Sequence, residues 1–134
     1  MSYKLKDQNV SHNGQVYNIQ ALVDYIERKN IPVRDIPLED LFSQLQEDCW
    51  GDGENINYSP IDVLTNRFKN NEYIEHYKRS IDSDLNFPII YNKKYECISD
   101  GMHRLLKAYV LGHITIKTYI LETLPAECCV NNCS

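Results

Sequence analysis

The segment Cys97–His113 reads CISDGMHRLLKAYVLGH. It sets an apolar run, an acid, a glycine, an imidazole and a guanidinium just before a helical pattern. Ahead of it, "NFPIIY" predicts a strand, "NKK" a tight turn and "YECIS" the returning strand. Behind it, "DGMHRLLKAYVLG" predicts a helix closed by Gly112, and "HITIKTYIL" a strand of strict alternation. In that strand Ile114, Ile116, Thr118 and Ile120 share one face, and Thr115, Lys117 and Tyr119 the other. Gly101 therefore falls where a strand becomes a helix. Glycine there permits positive φ and close approach of another group.

The helix start it opens is suited to an anion, because first-turn N–H groups lack acceptors and the dipole is positive. His103, Arg104 and Lys107 are cations misplaced against that dipole, unless an anion lies between them. A phosphate would gain a bidentate Arg contact and backbone donors. Asp100 could serve there as N-cap, magnesium ligand or general base. An Asp-Gly turn with an Asp cap is the plain structural alternative.

Working outward, "NIQALVDYIERKN" predicts a helix capped by Asn18, with Ile19, Leu22, Val23 and Ile26 on one face. Val33 to Leu38 predicts a short extended segment. Leu38, Leu41, Phe42 and Leu45 then have helical spacing. "WGDGENINYSP" reads as a loop, and Ser59-Pro60 as a helix start for "IDVLTNRF". "NEYIEHYKRSID" predicts a helix with Tyr73, Ile74, Tyr77 and Ile81 on its apolar side and Glu72, His76 and Arg79 on another. The expected fold class is α+β, a small mixed sheet with packed helices. The expected organisation is a flexible segment 1–16, a single domain 17–124 and a Cys-containing tail 125–134.

The chain has 134 residues and a formal net charge of −5, with acids outnumbering bases 19 to 14. That length suits one domain. The acidic balance makes nucleic acid an unlikely partner. No apolar run approaches the roughly 20 residues of a membrane span. The N-terminus has no apolar core like that of a signal peptide. The expectation is a soluble cytoplasmic protein, with a homodimer compatible. The odd count of five cysteines argues against a disulfide framework. Cys128, Cys129 and Cys133 lack the paired spacing of a zinc site, and read as part of a disordered tail.

From Asp35 to Leu121 the chain resembles the ParB/sulfiredoxin superfamily. The carrying segments are "DIPLEDL", "FPIIYNKKYECISDGMHRLLKAYVLG" and "ITIKTYIL". The local form D-G-M-H-R looks most like small stand-alone ParB-like members. The resemblance implies a ParB/sulfiredoxin-like fold in which Gly101, Met102, His103 and Arg104, with Lys107, hold nucleotide phosphates. Sulfiredoxins carry a reactive cysteine where this chain has Met102, so sulfinic acid reduction is not expected. The second arginine of the ParB box is absent. The free serine kinases of the superfamily fit best. They imply phosphoryl transfer from ATP or ADP, with CTP also admitted, and Mg2+, to a small hydroxylated metabolite. Alternatives are a noncatalytic nucleotide-binding module regulating a protein or nucleic-acid partner, and a ParB-like nuclease.

Three further groups could complete such a site. Glu47 or Asp48 could be the base that accepts the hydroxyl proton, with Glu39 in competition and Asp100 holding the metal or the acceptor hydroxyl. Trp50 could wall the substrate pocket, or simply pack at a helix end. His76 and Arg79 could reach a phosphate or substrate carboxylate, or sit on a solvated face. Cys97 reads as a buried small apolar residue, and His12 and His113 stand without polar company.

Overall fold

The structure is a computed structural model that describes residues 8–52 and 55–131. Among them are eight strands and five helices, which form a mixed α+β fold with small sheets. Three of the helices open on side-chain caps, those at Asn18 and Ser59 as expected. The Asn18 side chain accepts from the Ala21 N–H at 3.0 Å to open α1 (Ile19–Arg28). Ile19, Leu22 and Ile26 form its buried stripe, and Val23 lies at its margin. Ser59 and Asp62 make a reciprocal capping box for α3 (Pro60–Thr65). Asn70 caps α4 (Asn71–Asp82).

The central sheet has the order β3-β8-β6-β7, with strands β3 (Arg34–Pro37), β6 (Ile89–Asn92), β7 (Cys97–Asp100) and β8 (Thr115–Leu121). β8 runs antiparallel to β3 and parallel to β6, and β6 and β7 form the expected hairpin. Alternation divides the core between the two faces. Ile89, Ile98 and Ile116 pack with Leu38, Leu41 and Leu45 of α2 (Leu38–Gln46) and Leu105 and Leu106 of α5 (Met102–Val110). Ile90 and Leu121 pack on the other face with Leu22 and Ile26 of α1. Burial of side chains this size contributes about 1.5–3 kcal/mol each. The edge of β7 is covered by a side chain: Gln44 donates to the Glu96 carbonyl at 2.9 Å and accepts from the Ile98 N–H at 3.1 Å. This satisfies ladder groups that an edge strand would leave open.

Three segments differ from expectation. Residues within the expected flexible segment form an antiparallel hairpin of β1 (Asn9–His12) and β2 (Gln15–Asn18). Its turn is Asn13-Gly14, both at positive φ, 52° and 79°. This dipeptide fits the turn that matches strand twist, and it was the overlooked signal. The expected loop after α2 contains a second hairpin, β4 (Trp50–Asp52) with β5 (Asn55–Tyr58). The expected tail is docked rather than loose. Ala126–Cys128 form a 3-10 turn, the Val130 N–H donates to the Val16 carbonyl at 2.8 Å, and Cys128 is buried. Cys129 is disulfide-bonded, which the cysteine count did not suggest, while Cys49, Cys97 and Cys128 are free. Cys133 and residues 1–7 lie outside the described residues. No helix among the described residues is long and apolar enough to cross a membrane.

Candidate functional site

Gly101 is required by packing as well as by the turn. Its φ is +113°, and a Cβ there would collide with Ile89 Cγ2 and lie 2.8 Å from Ile89 Cβ. The glycine lets β6 press against the junction of β7 and α5. It also leaves α5 without a side-chain cap. The N–H groups of Met102, His103 and Arg104 therefore open toward whatever faces the helix start.

A cleft of about 710 Å3 faces it. The walls come from α4, through Glu75, Lys78, Arg79 and Asp82, from the following loop, through Ser83, Asp84 and Phe87, and from Asp100, Gly101, His103 and Arg104, but not Met102. Gln8 closes one side. Arg79 is exposed and makes no ion pair with any described residue.

Arg104 lines the cleft, and its guanidinium also has partners within the protein. Its Nη2 pairs with Asp100 Oδ2 at 2.8 Å, and its Nη1 donates to the carbonyls of Phe87 and Pro88 at 2.9 and 2.8 Å. Side-chain exposure is only 8% for Arg104 and 15% for Asp100. The guanidinium thus staples the end of β7 to the loop entering β6, and the Asp100 carboxylate is neutralised inside that staple. Lys107 is likewise engaged, donating to the Ser83 carbonyl at 2.6 Å. Met102 is half-buried against the core.

His103 is not the cation that its position suggested. Burial, then the charges of His76, Arg79 and Arg104, push it down from 6.5 to about 3. Its Nε2 lies 3.0 Å from Nδ1 of His76. Burial and Arg79 also lower His76. At neutral pH the two rings share one hydrogen bond between neutral imidazoles. Trp50 covers both, stacked on His76 at 4.2 Å and 9° and on His103 at 4.6 Å and 19°. The β4–β5 hairpin supplies this lid and also brings Tyr58 edge-on to His76 at 5.8 Å. Trp50, His76 and His103 are therefore united, from three separate elements. Arg79 shares the cleft with His103, whereas Trp50 and His76 do not line it.

Glu47 and Asp48 are exposed at the end of α2 and do not line the cleft, and neither does Glu39. The carboxylates that do are Glu75, Asp82 and Asp84, besides Asp100. These three and Lys78 were missed by the sequence reading. The available signal was helical spacing: Glu75 and Asp82 lie one turn either side of Arg79 on α4, Lys78 is adjacent, and Asp84 follows the helix end. Among the described residues no group of three or more His, Cys, Asp or Glu gathers to hold a metal ion.

No family model, curated protein or solved structure matches this chain. The site offers uncapped helix N–H groups, two exposed cations and several carboxylates around one opening, next to a rigid neutral imidazole pair.

Proposed function

We propose that the cleft binds a nucleotide through its phosphates and transfers a phosphoryl group from ATP or ADP to a small hydroxylated metabolite. The observation that carries this reading is a convergence. The uncapped start of α5 and the guanidinium of Arg79, which pairs with no described carboxylate, meet at one cleft whose volume suits a small ligand. Lys78 adds a second cation, and Phe87, 46% exposed, gives the rim an aromatic surface for a base. The strand, turn, strand, helix and strand order from β6 to β8 is the part of the ParB/sulfiredoxin resemblance that supports the same reading.

Arg79 replaces Arg104 as the phosphate-binding arginine in this proposal, and His103 contributes its backbone N–H rather than a charge. Magnesium would be carried on the phosphates, since that ion uses only one or two carboxylates. Asp82 and Asp84 are the cleft carboxylates outside the Asp100–Arg104 pair that would meet it. When bound, it would neutralise phosphate charge.

One observation favours a second reading, a noncatalytic nucleotide-binding module. Asp100, the expected catalytic acid, is already paired with Arg104. For the nuclease alternative, the described residues bring no three His, Cys, Asp or Glu side chains together in a group that could hold a metal ion.

The test is calorimetric titration with ATP, ADP and CTP in magnesium, followed by incubation with a metabolite pool and mass spectrometry. Saturable binding with acceptor-dependent turnover supports the kinase. Saturable binding without turnover supports the module. Absence of binding by all three nucleotides overturns both.

A further inference from the structure

Away from the cleft, the face of β7 opposite α2 and α5 carries a second cluster of reactive side chains. Cys97 and Ser99 alternate onto the face opposite the core residue Ile98, and the β1–β2 hairpin lays His12 across them. His12 Nδ1 lies 3.7 Å from Cys97 Sγ, and its Nε2 lies 3.3 Å from Ser99 Oγ. Tyr95 stacks flat on the imidazole at 5.1 Å and 9°. The ring is thus fixed in orientation by a contact on each nitrogen and one on its face. If Nε2–H donates to Ser99, Nδ1 is left to accept the thiol proton, which is the arrangement an activated nucleophile needs. Asn92 stands opposite Cys97 in the β6–β7 register, on the same face, and its buried Nδ2 finds no hydrogen-bond acceptor among the described residues.

The other free thiols have no such company. Cys49 is pushed up to about 12 by burial and by Asp48 and Glu47, and Cys128 is 2% exposed. Cys97 is partly exposed.

We propose that Cys97 is a site of thiol–disulfide exchange with low-molecular-weight disulfides, with His12 as its base and Ser99 as the residue that positions His12. Cys97 Sγ attacks one sulfur of the disulfide while His12 Nδ1 takes the thiol proton. The new S–S bond joins Cys97 to that half, the old S–S bond breaks, and the other half leaves as a thiolate that recovers the proton from His12. No outside oxidant or reductant is needed. Burial and the Glu47 carboxylate hold the resting thiol above its ordinary value, and burial lowers His12. The resting pair is therefore a thiol and a neutral imidazole, and proton transfer accompanies attack.

This site is independent of the nucleotide reading and can be tested without it. The full chain is treated at neutral pH with glutathione disulfide, and separately with an aromatic disulfide that releases a coloured thiolate. Peptide mass spectrometry then follows each cysteine with time. The expected result is that Cys97 acquires the mixed disulfide before Cys49 and Cys128, and that His12→Gln slows it at least about tenfold. Ser99→Ala should slow it less and leave the exposure of Cys97 unchanged. Thermal melts establish that each variant is folded. Should His12→Gln not fold, the wild type still decides, because the order of labelling in the native chain must put Cys97 first. Labelling of Cys97 no faster than Cys49, or an unchanged rate in folded His12→Gln, would overturn the proposal.

Discussion

Arg104 reaches back one helical turn to Asp100, and the pair is almost wholly withdrawn from water. This contact joins a strand end to a helix start, and the same guanidinium holds the loop before β6. The residue that looked most like a phosphate ligand lines the cleft and also holds the fold together at this junction.

Arg104→Ala should therefore act on the fold before it acts on any ligand. It strands a buried carboxylate and two carbonyls, and breaking one side of a buried pair costs about 3–5 kcal/mol. Urea unfolding measures this. A loss below about 1 kcal/mol would mean that water readily replaces the guanidinium. Asp100→Asn keeps an acceptor but leaves the guanidinium without its counter-charge, so it should also destabilise, though less than Arg104→Ala. Activity of either variant must be read against its melt.

Gly101→Ala tests the approach of β6. The substitution combines a φ of +113° with a collision against Ile89. Gly112→Ala, at φ +75° with open space around it, provides the control. The control should cost about 1–2 kcal/mol from backbone strain alone. Gly101→Ala should cost clearly more, and equal losses would show that Ile89 yields.

The paired imidazoles should make stability fall on acidification. His103 titrates near 6.5 when unfolded and at about 3 when folded. Between these values the unfolded chain holds the extra proton, so its contribution is full above about pH 6.5 and declines as pH drops toward 3. The slope reaches at most about 1.4 kcal/mol per pH unit for one such histidine. Denaturation curves between pH 7.5 and 5 should show this slope in the wild type and a shallower one in His103→Gln. Identical slopes would mean that His103 is protonated in the folded protein.

Arg79→Ala should leave the fold intact, because the side chain is exposed and makes no ion pair with a described residue. Under the proposed function it removes a charge-assisted phosphate contact worth on the order of 1.5–3 kcal/mol of nucleotide affinity. Calorimetry on the folded variant measures it. Unchanged affinity would remove Arg79 from the site.

What the sequence by itself determined is the set of elements whose signals act over a few residues. Asn18, Ser59-Pro60 and Asn70 each fix a helix start through bonds to N–H groups within the first turn. The alternation in β8 and the hairpin of β6 and β7 follow from side-chain period and a short turn. The strand-to-helix junction at Gly101 was legible for the same reason. Asn13-Gly14 carried an equally local signal, and the hairpin it forms was readable in principle. What only the tertiary structure decided is where the polar side chains spend their bonds. His76 meets His103 across 27 residues and Cys97 meets His12 across 85. No periodicity reports such a meeting, because it depends on how α4, α5 and the first hairpin pack around the sheet. Arg104 shows the limit within a single motif. Its place at a helix start was local information, but its burial was set by the depth at which α5 lies against β6. Once buried, a guanidinium must pair inward rather than wait for a ligand, since an unpaired charge withdrawn from water is too costly to keep.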